Sequence, residues 1–233
     1  MTTQLKLIPN VLARFSDLIN GHAHNTSLSS RQIENLWQPL VSHYTEAHRH
    51  YHDLSHIAFL FRQFDSIKPN LIYPDSVALA IFYHDVIYNT QNSSNLSSAL
   101  SNERQSANFM QQQLDSLVPQ SLINQAFNLI LLTEKHELND DDNHDFQNDA
   151  RYFLDMDLSI LGQSDEVYEG YAKAVRLEYA QISDELYRQG RVQVLTNFLN
   201  RPRLYFTDDF YDRFEQTARA NLEREIKNLS VWV

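Results

Sequence analysis

Apolar positions recur along this chain mostly in helical phase. Ser29, with Gln32 three residues on, forms a capping-box pattern, and Ile33, Leu36, Trp37, Leu40, Val41 and Tyr44 follow as a helical stripe. A second stripe, Ile57, Leu60, Phe61, Phe64 and Ile67, stops at Pro69. Pro74 and Asp75 open a third segment, VALAIFY, which is apolar on every side. That pattern predicts a buried central helix running directly into His84 and Asp85. The polar, serine-rich stretch NTQNSSNLSSALSNE reads as a loop feeding a fourth helix with Ala107, Met110, Leu114 and Leu117 inward. A fifth helix is expected from about Ser121 to His136, with Ile123, Phe127, Ile130 and Leu131 in phase. ELNDDDNHDFQND then reads as an acidic loop.

The remaining segments continue the helical pattern. A short sixth helix, ARYFLDMDLSIL, ends at Gly162, a C-terminal cap. Ser164 caps a seventh carrying Val167, Tyr168, Tyr171 and Val175, and an eighth runs from near Ile182 to Leu199, before Pro202. The last presents Phe210, Phe214, Thr217, Asn221, Leu222 and Leu229. VALAIFY and LYF are the only strand-like runs, with no alternating pattern, repeat or linker. The expectation is an all-α protein with one domain over residues 1–233. Its core spans about 30–161, and the C-terminal helices of 164–229 pack on it.

Composition sharpens this picture. Only 4 glycines and 6 prolines among 233 residues favour long helices over tight turns. The formal charge of −11 argues against long nucleic acid or an anionic membrane as partner. No cysteine is present, which removes disulfides, thiolate nucleophiles and Cys-based zinc sites. Any metal must be held by His and carboxylate groups, a set that suits Mn, Fe, Zn, Mg, Co or Ni. The first residues, MTTQLKLIPN, lack a basic region followed by a long apolar run, and no apolar stretch reaches spanning length. These features lead to the expectation of a soluble, cytoplasmic protein.

Ten histidines are present, and HYTEAHRHYHDLSH holds five of them: His43, His48, His50, His52 and His56. His52 and His56 are four apart, so on a helix they share a face; a solvated polar helix end has the same spacing. His84 and Asp85 close the apolar helix, where a polar pair is costly without partners; a helix end reaching solvent is the other reading. Asp155 and Asp157 sit in FLDMDLSIL and need either arginine partners, such as Arg151 or Arg176, or a cation. Being two apart, they diverge on a helix. Thr133 and His136 close the fifth helix; His136 reads as a support of the ligands, a substrate contact, a ligand of a second metal or a helix-terminal His on the last carbonyls. His144-Asp145 reads as solvated. No Gly-rich phosphate loop, G-x-S-x-G or HExxH is present.

Taken together, the order H … HD … D over successive helices resembles the HD superfamily of metal-dependent phosphohydrolases. The segments RHYHDLSHI, AIFYHDVIYN, SNERQSA, LLTEKH, FLDMDLSILG, GRVQVLTNFLNRPRLYFT and ARANLEREI resemble the branch of predicted bacterial HD phosphohydrolases with a Y-H-x-L-x-H-I opening. The likeness covers about residues 30–229. It implies a helical HD domain and a divalent metal held by His56, His84, Asp85 and Asp157.

A more distant likeness, to the cyclic-nucleotide phosphodiesterases, aligns Tyr51-His52-Asp53-Leu54-Ser55-His56 with Y-H-N-x-x-H and Asp157-Leu158-Ser159 with D-L-S. It implies His52 as proton donor and Asp157, rather than Asp155, as ligand. Asp53 replaces the usual Asn, and the glutamine-bearing purine clamp is not recognisable, so cyclic nucleotides are not implied.

The mechanism that follows uses His52 and Asp85 as catalytic groups, Asp85 both ligating and holding the attacking water. Arg49, Tyr88 and His136 are the expected substrate contacts, Arg49 to phosphate. Glu103 and Asp155 are expected to support the ligands. Arg49 and Glu103 also read as ordinary helix-surface charges, and Tyr88 as a packing residue. The expected partner is a small phosphorylated substrate such as a nucleotide, and a homodimer is compatible with the family. A non-catalytic metal or nucleotide sensor and a purely structural helical partner are the competing classes.

Overall fold

The computed structural model describes residues 2–24, 27–90, 100–139 and 143–230, with side chains from Asn10 onward. Most of the serine-rich stretch and the centre of the acidic loop lie outside the described residues. Among the described residues the protein is all-α, with no strand. None of these helices is long and apolar enough to cross a membrane.

The helices follow from the patterns that encode them. Helix α2 (Ser30–Tyr44) starts where the capping box requires. The Ser29 hydroxyl accepts from the Gln32 amide, and the Gln32 side chain accepts from the Ser29 amide at 3.0 Å. It buries Ile33, Trp37, Leu40 and Tyr44. Helix α3 (Leu54–Ile67) runs into a 3-10 turn at Lys68–Asn70, where Pro69 ends the regular helix. Helix α4 (Pro74–Tyr83) opens with Pro at its first position, and every residue from Ser76 to Tyr83 is buried.

An element that the sequence reading assigned to no helix precedes these. Helix α1 (Thr2–His22) buries Val11, Phe15 and Ile19, four apart on one face. Phe15, Trp37, Phe61 and Phe82 join α1 to α4, with ring centroids of 5.2 Å for Phe15–Phe82 and 4.7 Å for Phe61–Phe82. Arg14 on α1 also donates to both oxygens of Asp65 on α3.

Helix α5 (Asn102–Leu114) and helix α6 (Gln120–Leu132) are shorter than expected. Leu117 falls beyond α5, with Ser116 before it at φ 63°. The buried stripe of α6 is Leu122, Ile123, Ala126, Leu129 and Ile130, so Phe127 and Leu131 are only half-buried. His136 is not part of α6. It follows at φ 50° and donates its amide to the Leu132 carbonyl, ending the helix as an αL residue does.

Helix α7 (His144–Leu158) begins six residues before the expected ARYFLDMDLSIL and takes in His144 and Asp145, which had been placed in the acidic loop. Asn143 supplies the missing cap, its side chain accepting from the Phe146 amide at 2.9 Å. Asp149 ties this half of α7 to the start of α4 by accepting from the Ile72 and Tyr73 amides at 2.8 and 2.6 Å.

The chain falls into two compact units, Met1–Ala150 and Arg151–Val233, with the boundary inside α7. The second unit holds a 3-10 turn (Ser159–Gly162), α8 (Asp165–Glu178), α9 (Asp184–Leu199) and α10 (Asp208–Ser230). Val167, expected inward on α8, is exposed, while Tyr168 and Val175 are buried. The Asn221 amide on α10 donates to the Leu161 and Gln163 carbonyls. Gly162 is required by close approach: a Cβ there would lie 2.5 Å from that of Phe214. The Arg191 guanidinium grips Glu225 with two bonds, and the Tyr168 hydroxyl donates to the same carboxylate.

Candidate metal centre

His84 is the residue that the buried α4 delivers. It caps the helix, its amide donating to the Ala80 carbonyl, and its side chain is 1 % exposed. Its Nδ1 lies 3.1 Å from the Ile81 carbonyl oxygen. A carbonyl only accepts, so Nδ1 carries a proton, and Nε2 points the other way. It faces His56 Nε2 at 3.1 Å and Asp85 Oδ2 at 3.0 Å, as an acceptor in the neutral ring and as a donor in the charged one. His56 Nε2 and Asp85 Oδ2 are themselves 3.7 Å apart.

These three atoms form a small triangle of nitrogen and carboxylate donors. A proton on His56 can bridge only one edge of it. A divalent cation would serve all three corners, and the dimensions match: with bonds of about 2.1 Å, neighbouring ligands stand about 3.0 Å apart in an octahedral shell and about 3.4 Å in a tetrahedral one. The Ile81 carbonyl then plays the outer partner that fixes a ligating imidazole. Ligand atoms of His56, His84 and Asp157 also lie within 4.8 Å of one another. The cluster of His56, His84 and Asp157 can therefore hold a metal ion.

His52 is placed differently from the expectation. It is not one helical turn before His56, because α3 begins only at Leu54 and Asp53 is its N-cap, accepting from the Ser55 amide at 2.7 Å. The Asp in place of Asn thus serves as a cap. His52 still reaches the pair from the preceding bend: its ring centroid is 5.9 Å from that of His56 and stacks at 4.2 Å on Tyr88. Tyr88 therefore lies against the proposed proton donor.

Two expectations are corrected. Arg49 does not present its guanidinium to a phosphate. Its side chain is fully buried, with Nε donating to Glu46, one terminal nitrogen to the carbonyls of His52 and Asp85, and the other to that of Val86. Asp155 does not support the ligands. It is fully buried and accepts from the Phe206 and Thr207 amides at 2.7 and 2.8 Å and from the Thr207 hydroxyl at 2.7 Å. Burial raises its pKa to about 6 even so.

Glu103 is half-buried, and its carboxyl is held above the usual range, first by burial and further by the negative charge of Asp85. The neighbouring contributions of SNERQSA were missed. Asn102 bonds both the amide and the carbonyl of Asn89, and the Ser106 hydroxyl accepts from the Ile87 amide, so α5 steadies the segment after the HD pair. His48 likewise binds the Tyr88 carbonyl at 2.9 Å. His136 is half-buried beyond α6 and is not a member of the three-residue cluster. Compared with known proteins, the chain matches no family model, no curated protein and no solved structure.

Proposed function

We propose that the protein is a metal-dependent phosphohydrolase acting on a small phosphate ester such as a nucleotide. The observation that supports it best is the convergence of His84 Nε2, its ring oriented by the Ile81 carbonyl, with His56 Nε2 and Asp85 Oδ2. The substrate class comes from the motif resemblance to HD phosphohydrolases. His56, His84, Asp85 and Asp157 are the ligands in this reading. A cation held by them would supply Lewis acidity at a phosphoryl oxygen and would lower the pKa of a bound water toward neutrality.

The chain's own groups divide the remaining work. Asp85 has a side chain 16 % exposed, against 0 % for His56 and 1 % for His84, so it is open to solvent where the two histidines are not, and it orients the attacking water. His52 lies beside the ligands without being buried among them, with its ring fixed on Tyr88, and protonates the departing oxygen. Glu103, near enough for the charge of Asp85 to raise its pKa, orients a bound water or a ligand histidine in this reading.

Metal analysis and titration with Mn, Co, Ni, Zn and Mg, followed by a panel of nucleotides and phosphate mono- and diesters, test the reading. Stoichiometric metal is expected, with turnover that Asp85→Ala abolishes. Tight nucleotide binding without turnover under every metal would make the protein a sensor instead. Full metal content in both His84→Ala and Asp85→Ala would overturn the site.

A further inference from the structure

Arg49 joins two of the sequence segments that carry the candidate ligands. Arg49 lies in the bend between α2 and α3, and its guanidinium bonds the His52 carbonyl at 2.9 Å, the Asp85 carbonyl at 2.6 Å and the Val86 carbonyl at 2.8 Å. The first belongs to the approach to His56 and the other two to the turn at His84.

The guanidinium is itself held. Its carbon sits 5.2 Å from the Tyr44 ring centroid and 5.6 Å from that of Tyr88. Glu46 receives Nε at 3.1 Å. Tyr88 in turn stacks on His52. A buried cation is costly unless its donors are satisfied, so its persistence here rests on a geometry in which both bends are in place.

We propose that Arg49 is a positioning residue that sets the metal affinity of the centre, by holding the His52–His56 bend and the His84–Asp85 turn at the separation a shared cation needs. The inference rests on the metal-binding reading above and not on hydrolysis. Arginine suits this role because its planar fork reaches three carbonyls at once; the point charge of lysine cannot.

The test is isothermal titration of the full chain with Mn or Zn alone, alongside thermal melts of the metal-free protein. Arg49→Met should bind the ion at least about tenfold more weakly, the scale for removing a partner that orients ligands. Arg49→Lys should fall between it and the wild type, and serves if the methionine variant does not fold. Arg176→Met is the matched control. Arg176 also bonds two carbonyls, of Tyr179 and Ile182, and a carboxylate, Asp184, but in the second unit. It should lower the melting temperature and leave metal affinity unchanged.

Equal metal affinity in folded Arg49→Met and wild type would overturn the positioning role while leaving the centre intact. A loss of affinity in Arg176→Met as large as in Arg49→Met would reduce the role to general stability and overturn it as well. Absence of metal binding by the wild type would remove the centre and this role together.

Discussion

The corner around His84 and the loop bound by Asp155 both draw carboxylates out of water, and they satisfy them with opposite kinds of partner. Asp155 meets three donors, two amides and a hydroxyl, and nearby Glu215 meets the Leu204 and Tyr205 amides and Arg219. Asp85 instead meets two imidazole nitrogens, His84 Nε2 at 3.0 Å and His56 Nε2 at 3.7 Å. Amide donors around a carboxylate complete a structural cap. Imidazole nitrogens gathered around a carboxylate are a donor set that can hold a cation. The burial of an aspartate in an apolar helix does not separate the two cases; the kind of its neighbours does.

That contrast breaks most sharply at His84. His84→Ala should weaken Mn or Zn binding by at least about 100-fold, since the other ligands keep too few donors, and a calorimetric titration reads it directly. Asp155→Ala should cost about 2–4 kcal/mol of stability in urea melts, because two amides and a hydroxyl lose a charged acceptor. Asp85→Asn, by comparison, should change metal-free stability by less than about 1 kcal/mol. If Asp85→Asn proved the more destabilising of the two in the absence of metal, the distinction drawn here would fail.

Smaller changes sharpen the structural side. Gly162→Ala should destabilise by about 1–3 kcal/mol, as the new methyl meets the Cβ and carbonyl of Phe214 at 2.5 and 2.9 Å. Tyr187→Phe should shift stability by under about 1 kcal/mol in either direction. The Tyr187 hydroxyl is buried with no hydrogen-bond partner among the described residues, so its removal forfeits little. Melting curves of the two variants rank them.

Much of the first unit was legible because local chemistry and burial agree there. Ser29 with Gln32 announced α2, Pro69 closed α3, and VALAIFY, though strand-like in composition, is apolar on every side and followed Pro74 as an interior helix. Other features were legible in principle and misread. Asp53 followed by Ser55 is an N-cap signal that moves His52 off the helix, and Asn143 is the cap that starts α7 within an acidic stretch. Val11, Phe15 and Ile19 carry the phase of α1. The role of Arg49 was not legible at all. An arginine after a histidine looks like surface charge until the fold brings the carbonyls of residues 85 and 86 to it. The choice between Asp155 and Asp157 likewise depends on which neighbours arrive: Phe206 and Thr207 claim the first, and His56 and His84 gather with the second.

Helix α4 is enclosed on all sides over its last eight residues and hands the chain to His84 with no intervening slack. Removing one residue from it would turn everything downstream by about 100°. Such a deletion would swing the imidazole of residue 84 out of reach at the same moment that it misaligned Phe82 against Phe15 and Phe61. Hydrophobic packing and ligand geometry therefore share one frame in this stretch. In a mutational scan for lost metal binding, positions 77–83 would score alongside the ligands although none of them touches the ion.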